Sequence, residues 1–195
     1  MKKPLRDYEA FLMGLKPALF DSSNCVTFQK ASHLYKHYPC VTEGIHLHEE
    51  ADFFLFFQTE QMKEEFLMKL ATVNHLSPEF HELLGITLGY PPLAAKYFAE
   101  CRRLEEVEKR INEYEELFKH KVSFIYSGIR CNGHVNDLVE NSVWLWERYY
   151  FEDEPFKIGM IEDNIVRFYK VKPYDFNELE QVKKRKLDLI SKDQT

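Results

Sequence analysis

The corner formed by Gly89-Tyr90-Pro91-Pro92 constrains the fold of this chain more than any other feature. It separates an apolar segment, residues 81–88, from a long charged segment. Proline sets the backbone of a first helical turn and lacks the amide donor that this turn would leave unpaired, so the two prolines favour a helix start. Gly89 suits the left-handed position that ends the preceding helix. The sequence therefore predicts two helices joined at a sharp corner.

Composition and charge narrow the class of protein. The 195 residues, 45% of them hydrophobic and 30% charged, suit one globular domain. The formal net charge of −6 argues against a dedicated nucleic-acid binder, because such proteins present a basic face. The first residues do not read as a signal peptide, and no apolar run approaches the ~20 residues of a membrane span. We expect a cytoplasmic protein with reduced cysteines and no cofactor, which binds neither nucleic acid nor membrane.

Short apolar runs predict a small sheet. The run at residues 53–57 is continuous, which is typical of a strand buried on both faces. Further strands are expected at residues 25–28, 44–48 and 121–128, and a hairpin at residues 157–162 and 165–172 with its turn at residues 162–164. We therefore predict an α+β fold in which a small mixed or antiparallel sheet is covered by helices.

Capping residues mark the helices between these strands. Thr59 and Ser77 each precede a first turn that contains an acidic residue, and Pro78 suits the first helical position. Helices are also expected at residues 5–12, 135–150 and 176–190. We assign residues 1–175 to a single α+β domain and residues 176–195 to a C-terminal helix with a basic tail.

A heptad pattern marks the charged segment after the corner. It predicts one long amphipathic helix over about residues 91–120, with an apolar seam along one side. This seam either packs on the parent domain or pairs with another chain, and the pattern suits both. In the second case the partner-binding residues are Tyr97, Leu104, Val107, Ile111, Tyr114 and Phe118.

Three segments together resemble a bacterial family. Residues 14–20 contain Leu15-Lys16-Pro17-Ala18, residues 53–57 form a hydrophobic strand, and a helix beginning near His81-Glu82 ends in Leu88-Gly89-Tyr90-Pro91. In order and spacing they resemble an uncharacterised family of bacterial proteins, a domain of unknown function, over about the first 100 residues. The resemblance implies an α+β bacterial cytoplasmic protein and supplies no activity.

The segment at residues 126–134 is the strongest candidate for a ligand site. We predict that it links a strand to a helix, where free amide groups attract anions. Arg130 is suited to clamp a phosphate or a carboxylate. The candidate ligand-binding residues are Tyr126, Ser127, Arg130, Asn132 and His134. Asn132-Gly133 is also typical of a tight turn, which by itself would account for the segment.

His46 and His48 are weak candidates for a metal site. On a strand, both side chains would project from one face, at a spacing that can chelate a divalent metal. A polar strand face turned to solvent needs no metal, and the sequence places no further ligand beside the two histidines. We therefore predict no metal site.

The sequence contains no complete catalytic constellation. Together with the apolar seam and the many aromatic residues, this favours a non-enzymatic cytoplasmic binding or regulatory protein. We expect it to act through protein–protein contacts, either with a partner or with a second copy of itself. The alternative is an enzyme or small-molecule binder that holds an anionic ligand at residues 126–134.

Overall fold

Two antiparallel sheets, with helices packed against both, organise the chain. The computed structural model describes residues 5–149, 155–163 and 165–192. Within these residues the helices are α1 (Asp7–Leu12), α2 (Val26–Tyr35), α3 (Glu60–Leu70), α4 (Pro78–Thr87), α5 (Pro92–Arg102), α6 (Ile111–Lys119), α7 (Leu138–Arg148) and α8 (Phe176–Lys192). The strands are β1 (Ala18–Ser22), β2 (Cys40–Val41), β3 (Phe53–Phe57), β4 (Lys121–Tyr126), β5 (Ile129–His134), β6 (Phe156–Glu162) and β7 (Ile165–Val171). The predicted α+β class is confirmed.

The first sheet has β3 at its centre, paired antiparallel with β1 and β2. Alternate residues of β3 face two different apolar clusters. Leu55 and Phe57 pack in the cluster that contains residues of α3 and α4, whereas Phe56 packs with Phe11 of α1 and Tyr35 of α2. Because both faces are covered, the apolar run is continuous, as predicted.

Two strands predicted in the first 50 residues are wrong. Residues 25–28 begin α2, with Cys25 in the extended conformation of an N-cap, and residues 44–48 form neither strand nor helix. A short apolar run does not distinguish a strand from a first helical turn. β1 is not predicted from the sequence, because Asp21 and Ser22 in it are residue types typical of turns.

The second sheet has the strand order β5-β4-β6-β7, with every pair antiparallel. The predicted strand and hairpin are confirmed as β4, β6 and β7, while Asn164 of the predicted turn lies outside the described residues. The prediction that residues 126–134 link a strand to a helix is wrong, since residues 129–134 form β5. Ser127 and Gly128 have φ values of 49° and 77°, which suit a two-residue hairpin turn. The chain therefore reverses there, and Asn132-Gly133 lies inside a strand.

The predicted caps and corner are confirmed. The Oγ1 atom of Thr59 accepts a hydrogen bond from the amide of Met62, and the Oγ atom of Ser77 accepts one from the amide of Phe80, each at 3.3 Å. After α4 the chain passes through Gly89 at φ +82° and resumes as α5 at Pro92. Local sequence therefore determines this corner.

The single long helix predicted over residues 91–120 is wrong. α5 ends at Arg102, a π-helical turn follows over Arg103–Val107, and α6 begins only at Ile111. Lys109 at the break has φ +53°. The hydroxyl of Tyr97 donates to the carbonyl of Leu117 at 3.2 Å. Twenty residues of straight helix would separate these groups by about 30 Å, so α6 folds back along α5.

This break divides the residues of the apolar seam. Tyr97 and Leu104 are buried, and Leu104 is only 5% exposed. Val107 and Ile111 are 58% and 47% exposed, and Tyr114 and Phe118 are half-buried. The first half of the heptad pattern therefore packs within the chain, and the predicted seam does not exist as one continuous surface.

α8 packs into the core of the second sheet. Leu179, Val182 and Ile190 belong to the apolar cluster that also holds Trp146 and Phe156. Lys186 in the basic run is buried as well. Residues 193–195 of the predicted tail lie outside the described residues. Of the helices that the structure describes, none is long and apolar enough to cross a membrane.

Gly89 and Gly14 provide a matched pair to test the corner, since both have positive φ. A Cβ atom at Gly89 would overlap the Tyr149 hydroxyl and lie 2.8 Å from Cδ of Pro17, whereas one at Gly14 would meet nothing within 4 Å. Gly14→Ala should cost about 1 kcal/mol from backbone strain, and Gly89→Ala about 2–3 kcal/mol more from the collision. Urea unfolding measures both. Equal losses would contradict this packing.

Leu104 and Ile111 form a second matched pair, which tests the break. Leu104→Glu should cost at least about 3 kcal/mol of unfolding free energy, because it buries an unpaired carboxylate. Ile111→Glu should change it by no more than about 0.5 kcal/mol, because Ile111 is exposed. Urea unfolding gives the energies and light scattering gives the mass. If the wild-type protein were a dimer and both variants were folded monomers, the continuous seam would be correct and the break would be wrong.

Candidate functional site

The five predicted ligand-binding residues do not form one site. Tyr126 is buried against the ring of Phe156, and the Oγ atom of buried Ser127 donates to the Tyr149 carbonyl at 2.7 Å. Both residues therefore belong to the core of the second sheet, where a ligand does not reach them.

Arg130, Asn132 and His134 share one face of β5 but have separate partners. Nε of Arg130 lies 3.7 Å from a carboxylate oxygen of Asp7, and its side chain is 54% exposed. The amide oxygen of Asn132 accepts a hydrogen bond from Ser123, and the ring of His134 stacks on His120. Four residues along a strand span about 13 Å, so Arg130 and His134 cannot hold the same small anion.

His46 and His48 do not lie on a strand, so the geometry that suggested a metal site is wrong. Their rings instead meet the ring of Phe53 edge-on, with centroid distances of 6.3 Å and 4.9 Å. Across the described ranges, no three histidine, cysteine, aspartate or glutamate side chains are grouped in a way that could hold a metal ion.

A buried lysine lies beside β5, at a position that the sequence does not single out. Lys16 is almost fully buried, and its Nζ atom lies 3.3 Å from a carboxylate oxygen of Asp7. Burial lowers the pKa of Lys16, while Asp7 opposes this effect, and burial raises the pKa of the nearby Cys131 thiol. Cys131 therefore stays protonated and is a poor nucleophile. Lysine side chains are usually solvated, so the identity of residue 16 does not predict that it is buried.

The free edge of β7 is the most accessible element of the second sheet. β7 pairs with β6 on one side, and in the described part of the chain no strand pairs with its other side. Its side chains include three exposed apolar ones, those of Ile165, Val166 and Phe168. An open edge with such side chains favours pairing with a further strand.

The register of the hairpin shows which backbone groups are free. Glu162 pairs with Ile165 across a two-residue loop, and such a loop closes on a hydrogen-bonded pair. Hydrogen-bonded and non-hydrogen-bonded pairs alternate along an antiparallel ladder. The amides and carbonyls of Val166, Phe168 and Lys170 therefore point away from β6, toward the open edge.

A groove of about 670 Å³ runs between β7 and α8, beside this edge. The strand contributes Phe168, Tyr169 and Lys170 to its lining. The helix contributes Glu178, Gln181, Val182, Lys184, Arg185 and Asp188. The carboxylate of Glu178 accepts a hydrogen bond from the amide of Lys172 at 3.3 Å. The groove thus combines free backbone groups on one wall with mixed polar and apolar side chains on the other.

A buried carboxylate holds the two walls of the groove together. Glu162 of β6 accepts two hydrogen bonds from Arg185 of α8, at 2.9 Å and 3.0 Å, and one from the hydroxyl of Tyr169 on β7. Arg167 of β7 lies 3.4 Å from the same carboxylate. The hydrogen bonds from Arg185 hold the pKa of Glu162 below its usual range. This network positions α8 over the sheet.

Arg185→Ala and its neighbour Lys184→Ala test this network. Arg185→Ala should lower the urea midpoint at pH 7, because Glu162 loses its bidentate partner, while Lys184→Ala should leave it unchanged. A depressed carboxyl pKa stabilises the fold above its unfolded pKa of about 4.3, and this contribution is lost as the pH falls. The difference between wild type and Arg185→Ala should therefore shrink below about pH 4. A difference that is constant with pH would contradict the role of Glu162.

The comparisons with known proteins add no functional assignment. No family model, curated protein or solved structure matches the chain. The functional proposal for this protein therefore depends on the geometry of its own residues.

Proposed function

We propose that this protein is a non-enzymatic binding protein that receives an extended segment of a partner protein along β7, in the groove between β7 and α8. The observation that carries this proposal is the unpaired edge of β7 beside a lined groove. A peptide that adds a strand to a sheet gains affinity from main-chain hydrogen bonds and specificity from side-chain pockets. The open edge of β7 offers free main-chain groups, and the groove beside it offers side-chain contacts.

The dimensions of the site favour a short segment. The seven residues of β7 span about 23 Å, and three of them direct their amides and carbonyls outward. A segment of about five to seven residues would pair with all three. Its alternate side chains would face α8 on one side of the sheet and Phe168 on the other.

The charges at the site favour an acidic partner. Lys170 lies directly opposite Lys157 on β6, and like charges in this position repel each other. Neither lysine has an ion-pair partner in the described ranges. The α8 wall carries Lys184 and Arg185 together with Glu178 and Asp188, so the unbalanced positive charge lies on the strand. An acidic side chain on the bound segment would relieve the repulsion between Lys157 and Lys170.

A second copy of the chain fits this edge less well. Pairing two β7 strands would bring together two segments that each carry Arg167 and Lys170, with no acidic residue between Ile165 and Val171. Such a pairing places like charges near each other, which costs free energy. The proposed occupant is therefore a different protein.

The proposal includes a cytoplasmic location and the bacterial family of the resemblance. All four cysteines are free, which is typical of a reducing compartment. Two of the three segments that carry the resemblance meet in space, since Gly89 packs against Pro17. The free cysteines support the cytoplasmic location, and the contact between Gly89 and Pro17 supports the family resemblance.

A displayed library of random peptides provides the test. The wild-type protein should enrich peptides in which apolar and acidic residues alternate. Fluorescence anisotropy then measures the affinity of the best peptide for wild type, Lys170→Ala and Lys170→Pro. Lys170→Pro removes an outward amide and should weaken binding by about tenfold more than Lys170→Ala, which removes only the side chain. Light scattering should show a monomer.

Stability measurements control this comparison. Lys170→Pro should leave the urea midpoint nearly unchanged, because its amide faces the open edge. Arg167→Pro should lower the midpoint, because the amide of Arg167 bonds β6. Equal binding by Lys170→Pro and Lys170→Ala, or no enrichment of any peptide, would refute strand addition at β7. A dimer that Lys170→Pro dissociates would assign the edge to a second copy instead.

A further inference from the structure

A separate cavity of about 240 Å³ lies between α4, α5 and β5. Its lining is mainly apolar and includes Phe20, Leu84, Leu88, Ala95 and Phe98. An apolar cavity of about 150 Å³ holds a benzene ring, so this one has room for a ring and a short substituent. The cavity is distinct from the groove at β7, with which it shares no lining residue.

His81 brings an unsatisfied polar atom to this cavity. The residue is only 5% exposed, and its Nε2 atom has no hydrogen-bond partner among the described residues. Burial lowers the pKa of His81 to about 4, with smaller contributions from Arg102 and His75, so the ring is neutral at pH 7. A buried polar atom without a partner costs about 1–3 kcal/mol, which an apolar side chain at this position would avoid.

Arg102 brings a second unsatisfied donor to the same cavity. Its Nε atom is buried without a partner among the described residues, while its Nη1 atom is engaged by Glu105 and Glu106. Both Arg102 and His81 contact the ring of Phe98, with Arg102 above its face and the His81 ring perpendicular to it. In the tautomer that carries the ring proton on Nε2 of His81, two donors therefore lie around one aromatic wall. Arginine nitrogens only donate, so the missing partner is an acceptor.

A second arginine, Arg130, also lines the cavity. Its side chain is more than half exposed, and Asn132 lies beside it on β5. No acidic side chain is among the residues that line this cavity. A negatively charged ligand therefore meets the guanidinium groups of Arg102 and Arg130, whose carboxylate partners Asp7, Glu105 and Glu106 are not among the lining residues.

We infer that this cavity binds a small aromatic carboxylate, with its ring against Phe98 and Leu84 and its carboxylate on Nε2 of His81 and Nε of Arg102. A carboxylate satisfies two donors at once, which a neutral acceptor of the same size does less well. The apolar lining accounts for the ring, and a few convergent polar groups then orient it, as in ligand pockets generally. This inference is independent of the groove at β7.

Titration calorimetry with phenylacetate tests the inference. The wild-type protein should bind it saturably at one site. His81→Leu should weaken binding at least about tenfold, because it removes one donor to the carboxylate. The same substitution removes an unsatisfied polar atom, so it should keep or raise the melting temperature. A loss of binding by a folded His81→Leu protein therefore does not arise from unfolding.

Two controls separate the carboxylate site from nonspecific binding. Arg102→Gln should weaken binding, whereas Arg103→Gln should not, because Arg103 pairs with Glu100 and Glu108 and does not line the cavity. Phenylacetamide, which has the same ring without the charge, should bind at least about tenfold more weakly than phenylacetate. Absence of saturable phenylacetate binding, equal binding by His81→Leu, or equal binding of the amide would each overturn the inference.

Discussion

The contact between Gly89, Pro17 and Tyr149 is the constraint on which the rest of the structure depends. The Tyr149 hydroxyl donates to the Gly89 carbonyl at 2.9 Å, and Gly89 packs so closely on Pro17 that it has no room for a Cβ atom. Three distant parts of the chain meet here: the segment before β1, the corner between α4 and α5, and the end of α7. The contact therefore ties the helices of the first sheet to those of the second.

From this junction, α5 extends along β5 and covers one edge of the second sheet. The other edge, at β7, is left without a strand partner in the described residues. Glu162 accepts hydrogen bonds from both β7 and α8, and so holds the helix at a fixed place beside the open edge. The groove therefore exists because α5 covers only one edge of the second sheet and leaves the edge at β7 open. An unpaired edge is a liability for solubility unless it has a partner, which is the physical basis of the proposed strand addition.

The unsatisfied atoms at His81 and Arg102 follow from the same arrangement. α4 and α5 approach each other closely at Gly85 and Ala95, where a Cβ atom on the glycine would lie 3.0 Å from that of the alanine. Beyond this contact the helices and β5 leave a cavity, and the two side chains line it. Buried polar groups are normally paired. The carboxylate ligand that we infer would supply an acceptor to both side chains.

Local signals in the sequence determined the caps at Thr59 and Ser77, the corner at Gly89, the buried strand β3 and the hairpin of β6 and β7. Each depends on residues within a few positions of one another, where steric and hydrogen-bonding preferences act directly. The α+β class follows from these elements. The same local signals predicted a continuous helix through Leu104 and Ile111, because a heptad pattern cannot show that the chain turns back on itself.

Only the tertiary structure decided which of these elements became accessible. The bond from Tyr97 to Leu117 folds α6 onto α5, so the predicted seam is broken: Tyr97 and Leu104 are buried, whereas Val107 and Ile111 stay exposed. β5 replaced the predicted loop because its pairing with β4 stabilises a strand where Asn132-Gly133 favours a turn. The open edge of β7, the burial of Lys16 and the orphaned atom of His81 depend on neighbours that are distant in sequence. Sequence periodicity records which side chains are apolar, whereas burial and pairing depend on what packs against them.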